Sequence, residues 1–272
     1  MSASQEMSTP HVLESLVHRP TGTVVPVMTK YKLTIQYHGA RYSGWQIQAG
    51  RTTIQGTIRQ ALERLTGQPV SVVGAGRTDS GVHALGQVAH IRLEEAMDPA
   101  RLQRALNGLL PWDIRILAAR RVSVAFHAQK HALRKLYAYR IFNGPILSPF
   151  LNGRVCHVRQ ALCVEKMKQA ARLLVGRRDF SGFAAASSSA RDHHRSIMRS
   201  EVISRGALVR YEVEADGFLH HMVRNIAGTL IEIGSGRREP EDMLRILESR
   251  DRRQAGRTAP AEGLYLVKVW YR

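Results

Sequence analysis

The order of hydrophobic patterns predicts an α+β protein of two ferredoxin-like halves. These are split βαβ units whose mainly antiparallel sheets join, with helices packed on one side and a cleft between the halves. Three observations lead there. Segments of period two and period 3.6 alternate in the order β-α-β-β-α-β; the same order recurs later in the chain; and 272 residues, 44% of them hydrophobic, can fill one large core or two packed ones. The boundaries that follow are a flexible tail at 1–28, an N-terminal half at 29–125 and a C-terminal half at 126–272.

In the first half, Tyr31, Leu33, Ile35 and Tyr37 alternate with polar residues, the signature of a half-buried strand. Ile54, Ile58, Ala61, Leu62 and Leu65 form the apolar face of a helix that closes at Gly67, before Pro69. "VSVVG" and "GQVAHIRL" then read as strands. "DPARLQRALNGLL" opens a helix with Asp98 as N-cap and Pro99 in the first turn, and "DIRILAARRV" is a strand. The second half gives strand "LRKLYAYRIFN", helix "VEKMKQAARLLVG", strands "RSEVISR" and "ALVRYEVEA", helix "GFLHHMVRNIAGTLIEIG", a further helix from about Pro240, and strand "GLYLVKVWY".

Forty Lys and Arg stand against 22 Asp and Glu, a formal charge of +18. Such a surface suits a polyanion, and nucleic acid leads, because each phosphate neutralised releases condensed counterions. Cys156 and Cys163 are too few for a disulfide framework and lack zinc-site spacing, which fits a reduced cytoplasmic setting. No run approaches the ~18 apolar residues of a membrane-spanning helix. The first 28 residues show no period, and Glu6 and Glu14 sit badly in a transit peptide; translation could equally begin at Met28.

The stretch "GAGRTDSGVHA" raises the chemical question. Gly74 and Gly76 resemble the start of a dinucleotide fingerprint, but Asp79 holds the third glycine position and a strand follows where a helix must bind pyrophosphate. Asp79-Ser80-Gly81 resembles half of an aspartic protease site, whose chemistry needs two carboxylates. What remains is a solitary Asp79 with Arg77 two places before it, able to keep it ionised; the carboxylate either caps the turn or reacts. Arg224, away from the middle of the stripe formed by Leu219, Met222, Val223, Ile226, Leu230 and Ile233, either meets Asp79 across a cleft or is exposed. Tyr137 and Tyr139, among Arg134, Lys135 and Arg140, suit base stacking and equally a packed strand. Residues 180–199 read as a flap over nucleic acid or a surface loop. His220 and His221, like His193 and His194, are adjacent pairs and not i, i+4 pairs on a helix, so no metal site is expected from them.

Taken together, "YHGARYSGWQ", "VGAGRTDSGVHALGQVAHI", "ALNGLLPWDIRI", "FHA", "DFSGF", "GFLHHMVRNIAGTL" and "TAPAEGLYL" resemble, in order, the motifs of the TruA family of tRNA pseudouridine synthases. The resemblance implies a cofactor-free, metal-free isomerase, a homodimer, acting on tRNA uridines of the anticodon stem-loop, around positions 38 to 40. It implies Asp79 as the catalytic aspartate, Arg77 as the arginine of its motif, Tyr137 as the stacking tyrosine and Arg224 as the arginine that pairs with the aspartate. One departure is visible: after "FHA" the family usually has arginine and an aromatic, where this chain has Gln129, Lys130 and His131. Two other classes fit parts of the pattern. A non-catalytic RNA-binding protein needs no glycine-rich Asp79 loop, and a metal nuclease wants acidic neighbours that Asp79 lacks.

Overall fold

A computed structural model describes residues 28–187 and 190–272; the tail expected at 1–28 lies outside them except for Met28. The elements are β1 (Thr29–Tyr37), α1 (Ile54–Thr66), β2 (Val73–Gly74), β3 (His83–Leu93), α2 (Pro99–Leu109), β4 (Ile114–Arg121), β5 (Arg134–Asn143), β6 (Cys156–Val158), α3 (Val164–Arg172), β7 (Gly176–Asp179), β8 (His194–Arg205), β9 (Leu208–Ala215), α4 (Met222–Gly234), α5 (Asp242–Ser249) and β10 (Leu264–Trp270).

Local signals fix most of these. Tyr31, Leu33, Ile35 and Tyr37 are all buried. Thr53 accepts a hydrogen bond from the Gly56 amide at the start of α1, and Gly67 ends that helix in the left-handed region, where a glycine has no Cβ to clash. Asp98 accepts from Arg101 N–H with Pro99 in the first turn of α2, as its sequence predicts.

The strands form one mixed, mainly antiparallel sheet in the order β4-β1-β3-β10-β5-β9-β8-β7, with β2 paired to β3 and β6 to β5. β10 runs antiparallel to β5 and parallel to β3 at Tyr265 and Leu266, so it joins the strands of the first stretch to those of the second.

Several elements differ from expectation, among them β6, which was not expected, and β8, which begins at His194, five residues before "RSEVISR". Of "VSVVG" only Val73 and Gly74 pair with β3, and the chain then bends past the Trp45 ring, which lies where a side chain on Gly74 would stand. β3 begins at His83, three residues before Gly86. The helix expected up to Gly176 ends at Arg172, a turn follows, and Gly176 already opens strand β7, whose Arg177 and Arg178 sit on the sheet's exposed edge. The helix expected from Gly217 starts at Met222, because His221 is left-handed, φ 59°, a conformation an α-helix of L-residues excludes.

Two buried histidines make the fold acid-sensitive. His83 accepts a hydrogen bond from Gly39 N–H at Nδ1 and stacks between His38 and Tyr265, with centroids 4.5 and 4.6 Å away. His90 accepts from Ala128 N–H. Burial pushes each down to about 4, reinforced by His38 for His83 and by Lys30, His127 and Arg92 for His90. Since folding lowers their proton affinity, the unfolded chain protonates first. Stability contributed above the ordinary histidine range is lost as pH falls towards 4, by on the order of 3 kcal/mol for each histidine. Urea midpoints measured between pH 7 and 4.5 should therefore fall steadily; a flat profile would contradict this.

Candidate active site

The Asp79 loop joins β2 to β3 and is fastened along its length. Trp45 N–H donates to Thr78 O (3.0 Å), Ala75 N–H to Val88 O (2.7 Å), Gly81 N–H to Tyr42 O (3.3 Å) and Val82 N–H to Asp79 O (3.2 Å). The Gln87 amide donates to Gly76 O at 2.9 Å, and the Tyr37 and Thr78 hydroxyls meet at 2.8 Å. Gly44, at φ +85°, explains the "YSGWQ" turn: a Cβ there would lie 2.6 Å from Thr78 O, so only glycine lets this turn clamp the loop.

The opposite wall is the start of α4. Arg224 Nη1 donates to Asp79 Oδ2 at 2.9 Å, between side chains that are 15% and 24% exposed. Its Nε donates to Ala259 O at 2.8 Å, while Ala259 N–H donates to Arg224 O at 3.1 Å. The guanidinium is thus aimed by the "TAPAEG" segment. That segment and the residues before it are in turn bound to α4: Thr258 Oγ1 and Arg252 Nη2 donate to Asn225 Oδ1, and Gly256 N–H donates to Thr229 Oγ1. Gly228 permits the approach, since a Cβ there would lie 1.7 Å from Arg257 O.

Two imidazoles complete the surroundings of the carboxylate. His220 Nε2 lies 3.6 Å from Asp79 Oδ1 and His221 Nε2 lies 3.3 Å from Oδ2. Burial lowers the His221 imidazole below its ordinary range; Asp79 opposes this, while His220, Arg224 and Arg252 reinforce it. Asp79, His220 and His221 have ligand atoms all within 4.8 Å of one another, the one set of this kind among the described residues and the donors a divalent ion would use. The i, i+4 spacing of a helical metal site presupposes that both histidines lie on a helix. They precede α4, so helical spacing does not govern what they hold.

Around these groups opens a cleft of about 1630 Å³, lined also by Trp45, Arg77, Gln129, Lys135, Tyr137 and Phe218. Tyr137 meets Phe218 edge to face, with centroids 4.9 Å apart, and burial holds its hydroxyl well above the ordinary phenol value. Tyr139, two residues on, is fully buried and donates to Pro260 O, the core use of a strand tyrosine. Arg77 is exposed and makes no ion pair among the described residues; the guanidinium at Asp79 belongs to Arg224, which corrects the expectation that Arg77 keeps Asp79 ionised.

Residues 180–199 are not a flap as a whole. Phe180 and Phe183 are fully buried, β8 begins at His194, and Ala185 N–H donates to His220 O; Ser188 and Ser189 lie outside the described residues. Sequence reasoning missed Trp45, His220, His221, Phe218 and the Ala259 carbonyl.

The family model described as tRNA pseudouridine synthase matches residues 33–129 and 170–272, spans that include Arg77, Asp79 and Arg224 but not Tyr137. The chain is 45% identical over 244 residues to the tRNA pseudouridine synthase A of Acetivibrio thermocellus, covering 90% of this chain and 100% of that relative. It is 43% identical over 245 residues to that of Ruminiclostridium cellulolyticum, with 90% and 100% covered, and 42% identical over 243 residues to that of a Bacillus species, with 89% and 99% covered. With matches that run through both walls of the cleft and along the relatives' whole length, the chain belongs to the tRNA pseudouridine synthase family.

Proposed function

We propose that this protein isomerises uridine to pseudouridine in the anticodon stem-loop of tRNA, around positions 38 to 40, with Asp79 as its single catalytic carboxylate. The observation that carries the reading is the Asp79–Arg224 ion pair, two residues 145 apart in sequence that meet in an open cleft of a strongly basic chain. The reaction breaks the N1–C1′ bond, turns the detached uracil and joins C5 to C1′. No electrons or groups are gained or lost, so it requires no redox cofactor. One carboxylate suffices, by attacking C1′ or C6 or by taking a proton from C2′.

In this reading the chain is two ferredoxin-like halves, 29–125 carrying the Asp79 loop and 126–272 carrying Tyr137 and Arg224. The order β1-α1-β2-β3-α2-β4, echoed by β5, α3, β8, β9, α4 and β10 with β6, β7 and α5 added, supports it. Tyr137 stacks on the extruded base, and Arg77, exposed at the cleft, contacts the RNA backbone. Gln129 faces the same cleft, so the departure at Gln129-Lys130-His131 alters a contact with RNA and leaves the carboxylate untouched. The enzyme works as a cytoplasmic homodimer; no helix among the described residues is long and apolar enough to cross a membrane.

Chemical mapping of pseudouridine in bulk tRNA incubated with the protein and a chelator tests this. The expected product lies in the anticodon arm. A protein that binds tRNA and forms no pseudouridine would instead be a non-catalytic RNA-binding protein.

A further inference from the structure

The two faces of β5 treat their cations differently. On one face Arg134 donates to Glu214 at 2.6 Å, and on the neighbouring strand β9 Arg210 pairs with Glu212 at 2.9 Å. Lys135, one residue on from Arg134, stands on the other face together with Tyr137, because side chains two apart on a strand point the same way. Its partners in register are Ala215 of β9 and Val269 of β10, both buried and apolar, so no carboxylate lies across from it. Among the described residues the Lys135 side chain makes no hydrogen bond and no ion pair.

This unneutralised cation faces the cleft. It also reaches the Asp79 loop, since a Cβ on Gly76, three residues before the carboxylate, would stand 3.1 Å from Lys135 Nζ. Burial, and after it the Arg195 guanidinium, push the ammonium below the ordinary lysine value. A charge drawn out of water beside another of its own sign is unfavourable until an anion reaches it.

We propose that Lys135 is the anion-binding group of a phosphodiester subsite in the cleft, holding a phosphate next to the uridine that Asp79 isomerises. The proposal deepens the pseudouridine synthase reading and rests on it. Phosphate is the charged part of a uridine nucleotide, and it is joined to the ribose whose C1′ is rearranged. Tyr137, about 7 Å from Lys135 along the same strand face, takes the base, Asp79 addresses the ribose or the ring bonded to it, and Lys135 takes the phosphate. Three groups thus divide one nucleotide between them. Lysine suits its part, because three rotatable donors on a flexible stem can follow a phosphate while the base is turned over.

Wild type and Lys135→Gln are titrated with three anticodon stem-loop RNAs: one unmodified, and two in which the phosphate on the 5′ or the 3′ side of the target uridine is a neutral methylphosphonate. The variant should bind the unmodified RNA about tenfold more weakly than wild type, and one of the two replacements should weaken wild type by a similar factor while leaving the variant unchanged. The slope of log affinity against log salt should fall by about 0.7 to 0.9 in the variant, the share of one phosphate. The urea midpoint of the free variant should not drop, because glutamine removes a cation that lacks a partner there. Replacements that weaken both proteins alike or weaken neither, an unchanged salt slope, or a lowered midpoint would overturn the subsite. Pseudouridine in the unmodified RNA is measured in parallel. A wild-type protein in which Lys135 couples to a phosphate but no product forms would keep the phosphate contact and overturn the isomerase reading alone.

Discussion

Replacing Asp79 with alanine should lower pseudouridine formation by at least about 10⁴-fold, the loss seen when the reacting group of a covalent or proton-transfer site is removed. Affinity for tRNA should stay within about threefold of wild type, because phosphate contacts from the basic surface supply most of it. The fold should survive, since the loop hangs on backbone bonds from Trp45, Ala75 and Gly81 that do not involve the carboxylate. Single-turnover product formation and filter binding on the same preparation check both parts. Undiminished product would remove Asp79 from the chemistry, and a parallel loss of binding would recast it as an RNA contact.

The second large effect is expected at Arg224. Its guanidinium makes two bonds in different directions, to the Asp79 carboxylate and to the Ala259 carbonyl. Alanine removes both, and we expect activity to fall by about 10² to 10³-fold as the carboxylate loses its partner. Leaving Ala259 O without a donor should also lower stability by about 1 to 3 kcal/mol. Lysine retains the charge but has no planar fork to span both acceptors, so it should recover only part of the rate. The measurement is again rate against tRNA affinity, with a urea midpoint added. Binding that falls more than activity would argue that Arg224 serves the RNA directly.

Much of this site was legible in the residues, and the reasons are local. Period-two alternation at Tyr31 to Tyr37 and the caps at Thr53, Asp98 and Gly67 are short-range signals that tertiary packing has no cause to overturn. Asp79 and Arg224 were each left open by their own surroundings, with a turn cap and an exposed arginine as the alternatives, and the ordered motifs singled them out. The histidine pair was not legible. Leu219, Met222, Val223 and Ile226 continue one apolar period across His220 and His221, so periodicity carried the helix through a place where the backbone turns left-handed. Arg77 misled for a similar reason. Two residues of separation put it near Asp79 in the chain, yet its side chain is exposed at the cleft with no ion pair among the described residues, and a residue from the far side of the cleft takes its place. The Ala259 carbonyl that aims Arg224 is main chain, and no residue type announces it.

The position of β10 has a consequence for how the molecule is made. On a ribosome, the strands β1, β3 and β4 can pair as soon as residue 121 has emerged, and β5, β8 and β9 once residue 215 has. The strand that links the two groups is the last of all to be synthesised, residues 264–270. Until it arrives, the nascent chain presents the bare edges of β3 and β5, ready templates for mispairing with a neighbouring chain. Asp79 belongs to the first group and Arg224 to the segment leading into β10. The cleft therefore comes into being in the final moments of synthesis, and a nascent chain has no assembled site with which to act on the tRNAs around it.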